Sequence, residues 1–374
     1  VRRPTECPEP AALPGLYVHV PFCRARCGYC DFTTFTGRDD LMGAYGEALD
    51  AELAASAERW GPFGTVFVGG GTPSVVGAER LAALVASLAR RADLSRCTEF
   101  TVEMNPESVD DALAAAVVGA VGAVCPGVLR VSLGAQSFDD VVLHTAGRVH
   151  TAQQIAAAVS CLRRSGVRNL SVDLMLGLPG QSLACLVRDV SAALALEPEH
   201  LSFYALTLDP ATPLGRAGYE PDPDLQTDMY ERLVDMIGEK GYIRYEISNA
   251  ARPGYECRHN LGYWRYHPYA GFGCAAVSFD GESRTTCVST LEEYCRRGFR
   301  YDTEHLDPET RDRERVMLGL RTAEGMPAGE VLQGRFGSTV RDLVARGMLQ
   351  VCDGRMRIPG DRWYRSNEVM REFF

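Results

Sequence analysis

Cys23, Cys27 and Cys30 stand in a C-x3-C-x2-C spacing within LYVHVPFCRARCGYCDFTTF, residues 16–35. Three thiolates this close can hold a metal cluster but cannot all pair with one another. Thiolate is the usual protein ligand of iron–sulfur clusters, and a 4Fe-4S cluster has four irons to satisfy, so three cysteines leave one iron open to another ligand. An open iron is a place for chemistry. The same triplet is compatible with a zinc site or with three unrelated thiols. Zinc would call for a fourth Cys or His at knuckle spacing, and none follows closely.

The elements that must position such a loop alternate along the chain. Short β-rich runs at 16–20, 65–68, 99–104, 128–133, 170–176 and 200–206 are separated by helical patterns at 41–60, 78–91, 108–118, 151–165 and 182–196. Six strands alternating with helices predict a parallel sheet with right-handed crossovers. In parallel barrels chemistry gathers at the C-terminal ends of the strands. Here those ends carry, in order, the cysteine loop, Gly69-Gly70-Gly71-Thr72-Pro73, Glu103-Met104-Asn105-Pro106, Gly134-Ala135-Gln136-Ser137, Asp173 with Gly177-Leu178-Pro179-Gly180, and Tyr204-Ala205. Periodicity and candidate site point to the same end of one sheet.

The cysteine spacing after a strand, with Phe22, Tyr29 and Phe32 interleaved, resembles the radical S-adenosylmethionine (SAM) enzymes. The phrase YVHVPFC…CGYCDF resembles their oxygen-independent coproporphyrinogen oxidase and haem-chaperone branch. The resemblance spans nearly the whole chain. It implies an α/β fold, a partial (β/α)6 barrel, followed by a small, mostly helical, winged-helix-like C-terminal domain. The expected organisation is a tail at 1–14, the barrel at 15–250, a connecting segment closing the site at 251–302 and the C-terminal domain at 303–374. It also implies that the open iron binds the methionine end of SAM. One electron from an external reductant such as flavodoxin or ferredoxin then cleaves SAM to a 5′-deoxyadenosyl radical.

Residue by residue, the resemblance places Gly70, Gly71 and Thr72 at the amino acid moiety of SAM, and Glu103 of the E-x-N-P pattern at its ammonium. Gln136, Arg148 and Asp173 match positions near its ribose and carboxylate, and Tyr17 a tyrosine near the sulfonium. Phe32, Ala205 and Val277 complete the expected cofactor contacts. Each has a plainer reading: a glycine turn, a surface arginine at 148, a capping Asp173, a core tyrosine at 17. Glu103 differs, because an unpaired carboxylate inside an apolar strand is costly and a cation would remove the conflict.

Further along, Cys257-Arg258-His259-Asn260-Leu261-Gly262-Tyr263-Trp264 resembles the H-N-x-x-Y-W motif of the chaperone branch. His259 reads equally as a haem ligand or as a packed structural histidine. Oxidases proper place a fourth cysteine where Phe32 stands and carry a longer N-terminal segment, so both features side with the chaperone-like branch. That branch usually reads G-A-H-S where this chain has Ala275-Ala276-Val277-Ser278, a tyrosine where Leu176 stands and an asparagine at Cys287. Val277 instead resembles the aliphatic residue that the oxidase branch sets beside a second SAM. The expectation is therefore a methylase or cyclopropanase that uses one SAM for the radical and a second as carbon donor to a small unsaturated organic substrate. Tyr17, Tyr204, His259 and Tyr263 are its catalytic candidates. The alternatives are a haem chaperone, binding haem with SAM and cluster, and coproporphyrinogen III decarboxylation.

Composition narrows the partners. Of 374 residues, 46% are hydrophobic and 24% charged, enough for a sizeable core. The net charge of −10, from 39 basic and 49 acidic residues, argues against a broad nucleic-acid surface. Thirteen scattered cysteines form no compact disulfide framework and read as a reducing cytoplasm. The stretch VRRPTECPEPAALPG lacks an apolar core of signal-peptide length. Residues 112–129 carry no charge over eighteen positions, but three glycines and Pro126 make them a buried helix, a turn and a strand start, with no membrane span expected.

Overall fold

The structure, a computed structural model, describes residues 12–374. Most of the expected 1–14 tail lies outside the described residues. Six parallel strands form the centre: β1 Gly15–Val20, β2 Thr65–Gly70, β3 Glu99–Met104, β4 Val128–Gln136, β5 Asn169–Leu176 and β6 His200–Ala205, each hydrogen-bonded to the next in sequence order. Their apolar residues are buried on both faces, as Leu16, Val18, Val66, Val68, Phe100 and Val102 are, because helices cover a parallel sheet. Between them lie α1 Met42–Ser56, α2 Ala78–Arg91, α3 Asp111–Val124, α4 Asp140–Thr145, α5 Ala152–Arg164 and α6 Leu183–Ala195.

Local chemistry fixes these boundaries. Asp110 caps α3 through a 2.7 Å bond from the Leu113 N–H. Thr151 and Gln154 form a capping box at the start of α5. The uncharged run is, as expected, α3, a turn and the start of β4. Among the described residues no helix is long and apolar enough to cross a membrane.

The sheet is wider than the six predicted strands. Beyond β6 run Asn249–Ala251 and Ile243–Glu246. On the other side, Tyr269–Phe272 pairs parallel with β1, followed by antiparallel Val277–Phe279, Ser283–Cys287 and Tyr301–His305, giving twelve strands in all. Residues 251–302 thus extend the sheet from the β1 side. Their short strands broke the periodicity from which a strand can be read. Within 209–223, Pro213–Arg216 is helical, and a longer helix, Pro223–Gly238, begins at its end.

The C-terminal part has its own core of Val316, Leu320, Val340, Leu343, Met356, Trp363 and Phe373. Its helices include α11 Pro308–Gly319 (α7 to α10 being Pro213–Arg216, Pro223–Gly238, Arg258–Trp264 and Leu291–Arg297), and it carries a three-stranded antiparallel sheet.

Candidate functional site

Register brings the strand ends together. Val20 of β1 sits beside Gly70 of β2, so the chain leaves β1 into the cysteine loop against the glycine run. Gly71 N–H donates to Val20 O at 2.9 Å and Thr72 N–H to Phe22 O at 2.8 Å. A Cβ on Gly71 would meet Phe22 O at 2.8 Å and Val20 O at 3.0 Å, both immobile backbone atoms. The glycine run therefore clamps the root of the cysteine loop, whatever else it touches. Phe22–Cys23 then pairs with Phe35–Thr36, closing the loop at its base.

Two of the three cysteines terminate one hydrogen-bond relay. Arg148, half-buried in the turn after α4, donates from Nη1 to Cys27 Sγ at 3.2 Å and from Nη2 to Asn105 Oδ1 and Gly134 O, both at 2.8 Å. Asn105 passes its Nδ2–H to Thr72 Oγ1 at 3.0 Å. With that oxygen accepting, the Thr72 hydroxyl proton is left to donate to Cys23 Sγ, 3.4 Å away. Cys30 is approached by the Phe32 N–H and Thr34, while burial pushes its thiol up. Burial likewise pushes Cys23 up to about 11, against the lowering contact from Thr72. Such thiols ionise readily only when a cation binds them.

The donor set fits an iron–sulfur cluster. Among the described residues no group of three or more His, Cys, Asp or Glu is gathered to hold a single metal ion. A cluster asks for something else, since its thiolates attach to different irons and its sulfur ligands take hydrogen bonds. Cys23, Cys27 and Cys30 are the residues that would hold it, with Arg148 and Thr72 as donors to its ligands.

Deeper in the mouth, half-buried Glu103 accepts from Gly70 N–H at 3.1 Å. Burial and then the neighbouring Asp173 raise its carboxyl to about 7. Asp173 itself is raised by burial, although Ser132 Oγ donates to both its oxygens at 3.0 and 3.1 Å. Gln136 sits on a bulge of β4 at φ +68°, a left-handed position that turns the strand end. Tyr204 at the end of β6 is 42% exposed, with half-buried Ala205 beside it. The expected cofactor positions from Gly70 to Ala205 thus share one mouth with the cysteine loop.

Three expectations fare differently. The Phe32 ring is 63% exposed, and only its backbone reaches Cys30. Val277 lies in a separate aromatic cavity. His259 is at the opposite end of the strands, where Thr65 begins β2. Its Nδ1 is 2.8 Å from Thr65 Oγ1, its Nε2 is 2.9 Å from Tyr263 Oη, and its ring packs on Phe67 at 5.2 Å. Burial lowers its pKa to about 3. With both nitrogens engaged and the ring enclosed, the geometry supports the packed-histidine reading of His259 over the catalytic and haem-ligand ones, and Tyr263 is its hydrogen-bond partner.

Sequence reasoning passed over Asn105, the middle of the relay, although it stands in the E-x-N-P string. It also missed His19, buried with Nε2 2.9 Å from Thr33 O and Nδ1 2.9 Å from Tyr17 Oη. Since a carbonyl only accepts, Nε2 carries the proton and the Tyr17 hydroxyl donates to Nδ1. Its only signal was a polar residue inside an apolar strand.

The parallel βα units and the three-cysteine loop define a class, the radical SAM proteins, and the Radical SAM superfamily profile matches residues 17–192. Membership implies a 4Fe-4S cluster and SAM. The relatives narrow this. Heme chaperone HemW of Bacillus subtilis (strain 168) is 33% identical, with 96% of this chain and 98% of that protein covered. HemW of Mycobacterium tuberculosis (strain H37Rv) is 36% identical, with 96% and 93% covered, and that of Escherichia coli (strain K12) 35%, with 90% and 92%. Coproporphyrinogen III oxidase (HemN) from Escherichia coli shares the fold, with a TM-score of 0.82 over 97% of this chain and 90% of that one at 18% identity. The chain belongs to the HemN/HemW-like family of radical SAM proteins. The expected methylase or cyclopropanase is overturned: relatives matching more than 90% of both chains are heme chaperones, none of these a methyltransferase. Of the departures, Leu176 and Cys287 are buried in the main core and Val277 lines a separate cavity, and they do not mark a carbon-transfer enzyme.

Proposed function

We propose that this chain is a heme chaperone of the HemW type, which binds haem as cargo and uses a cluster and SAM to control its transfer. The observation that carries this reading is near full-length similarity to proteins named for that function, at 33–36% identity. Bound at Cys23, Cys27 and Cys30, a 4Fe-4S cluster would supply single electrons and an open coordination site for SAM.

The chain's own residues then have defined work. Gly70 and Gly71 let the backbone come close to the SAM amino acid end, and Glu103 offers a carboxylate to its ammonium. Ionising that carboxylate is costly in the empty mouth, and a bound cation offsets the cost. Asp173, fixed by Ser132, offers acceptors to ribose hydroxyls, and Arg148 holds Cys27 while fixing Asn105. Tyr17 lies between this mouth and the aromatic cavity, and through His19 it is tied to Thr33 of the cysteine loop. A single-electron donor, a flavodoxin or ferredoxin, belongs to the same reading.

The test is anaerobic reconstitution followed by haem titration and transfer to a haem-free acceptor protein. The expected result is one haem per chain, released to the acceptor only by cluster-loaded protein with SAM. Absence of haem uptake by reconstituted protein overturns the reading.

A further inference from the structure

Cys97 and Cys125 are 28 positions apart, yet they meet at the end of the sheet away from the cysteine loop, where β3 begins and α3 has just ended. The backbone around them leaves little play. Val128 N–H donates to Thr98 O at 3.1 Å, and Thr98 N–H to Gly64 O at 2.8 Å. A Cβ on Gly127 would meet Thr98 C and O at 2.2 Å, so any other residue there would push the two segments apart. Cys125 Sγ lies 3.6 Å from Cys97 O and Cys97 Sγ lies 3.2 Å from Glu99 O, with the two thiols in hydrogen-bond reach of each other.

Both side chains are buried, but not equally. Cys97 is enclosed, whereas Cys125 forms part of the wall of a cavity of about 340 Å³ whose rim includes the exposed residues Gly166, Arg168 and Tyr255. A small oxidant entering from solvent therefore reaches Cys125 first. The protons sort the two roles further. With both thiols neutral, Cys125 donates to Cys97 O and Cys97 to Glu99 O. When Cys125 ionises, the Cys97 S–H and the Gly127 N–H turn to its sulfur. The Cys97 contact, against burial, holds Cys125 down at about 7, and the same contact together with burial pushes the Cys97 thiol up. Cys125 is thus the nucleophile, and Cys97 the thiol kept protonated beside it.

We propose that Cys97 and Cys125 form a peroxide-reactive dithiol, a second redox site separate from the cluster loop. The Cys125 thiolate attacks one oxygen of hydrogen peroxide, the O–O bond breaks and hydroxide leaves, which gives a sulfenic acid. The Cys97 thiol then attacks that sulfur, its proton goes to the departing hydroxyl, and water leaves as the disulfide forms. Two electrons pass from the two thiols to the peroxide, and a dithiol reductant returns them. The new bond ties the entry of β3 to the end of α3 and takes the Cys97 proton away from Glu99 O. Glu99 is also the residue whose carboxylate accepts from the Arg258 and His259 N–H groups, each at 3.1 Å, so the pair sits at the root of helix α9. The site needs neither haem nor SAM and stands independently of the chaperone reading.

The experiment exposes the reconstituted full chain to hydrogen peroxide, blocks the remaining thiols with iodoacetamide and maps the cysteines by mass in an unreduced digest, for wild type, Cys97→Ser and Cys125→Ser. Wild type is expected to yield a linked Cys97–Cys125 peptide, two hydrogens lighter than the separate peptides, that disappears with dithiothreitol. Its rate of formation is expected to rise with pH through about 7. Cys97→Ser is expected to stop at the sulfenic acid, trapped by dimedone on Cys125, and Cys125→Ser to slow oxidation of Cys97 at least about tenfold. Thermal melting checks that each variant is folded, and the wild-type digest decides alone where one is not. Absence of the linked peptide from wild type, pairing of either residue with another cysteine in its place, or oxidation of Cys97 at the wild-type rate in folded Cys125→Ser overturns the proposal.

Discussion

Arg148 and Cys27 are 121 residues apart in sequence, yet the guanidinium Nη1 lies 3.2 Å from the cysteine Sγ. The same side chain reaches Asn105, which reaches Thr72, which reaches Cys23. One cation thereby orders donors onto two of the three thiols and links the loop after β1 to the ends of β2, β3 and β4.

Substituting Arg148 by Gln removes a positive charge and a donor from a thiolate sulfur. A charged hydrogen bond contributes about 1.5–3 kcal/mol. Because the reduced cluster is the more negative form, losing that contact is expected to lower its potential by ~60–120 mV, at about 59 mV per 1.4 kcal/mol for one electron. Potentiometric titration followed by electron paramagnetic resonance measures this on reconstituted protein. Equal potentials in wild type and variant would show that the Arg148 contact does not reach the cluster.

Cys23, Cys27 and Cys30 share one loop, and among the described residues no neighbouring thiol replaces any of them. Of the other described cysteines, Cys97, Cys125, Cys161, Cys185, Cys257, Cys274 and Cys287 are buried elsewhere. Each single Cys→Ala change is therefore expected to abolish reductive cleavage of SAM, followed by mass as 5′-deoxyadenosine. Retained turnover in all three variants would sink the cluster assignment.

Glu103 gives a pH signature. Its folded pKa is about 7 against an ordinary 4.5, raised by burial and by Asp173. In the empty protein the folded state holds a proton that the unfolded chain releases between these values, so this group's contribution to stability is present below pH 4.5 and lost as pH rises through 7. SAM binding runs the other way, because its ammonium needs the carboxylate. α-Amino groups keep their proton up to about pH 7.7, so between pH 5.5 and 7 SAM affinity is expected to weaken by up to about tenfold per unit of acidification. Glu103→Gln is expected to bind at least about tenfold more weakly at pH 7.5, without that slope. Calorimetry across the range separates the two, and parallel profiles would remove Glu103 from the SAM site.

How much of this was legible in the sequence depended on the range of the interaction. The strands 99–104 and 128–133 and the buried α3 follow from runs and caps that are local, and so does the cysteine spacing; the extension of the second strand to Gln136 does not. The relay from Arg148 to Cys23 was legible at its ends, as an arginine and a threonine in motif strings, but not through Asn105, because a hydrogen bond between strand ends leaves no periodic trace. That the two readings of His259 stayed equal in the sequence has the same cause. A histidine among aromatics reads alike whether those rings wall a ligand site or pack around it, and only the contacts with Thr65 and Phe67, 194 and 192 positions away, separate the two.

The buried state of His259 is testable without any cofactor. Its folded pKa is about 3, lowered by burial from 6.5. Between those values the unfolded chain binds a proton that the folded one refuses, so its contribution to stability is full above pH 6.5 and is lost as pH falls toward 3, by up to ~1.4 kcal/mol per unit. His259→Gln carries no such group. It is expected to cost about 1–3 kcal/mol at pH 8, where a neutral imidazole with two hydrogen bonds is replaced, and then to lose less on acidification than wild type does. His200, also buried and neutral, contributes equally to both proteins and cancels in the difference. Urea unfolding of the metal-free chain at pH 5, 6 and 8 measures this difference. A gap between the two proteins that narrows as pH falls supports the enclosed, neutral ring, whereas a constant gap means that His259 meets solvent and is available to a ligand.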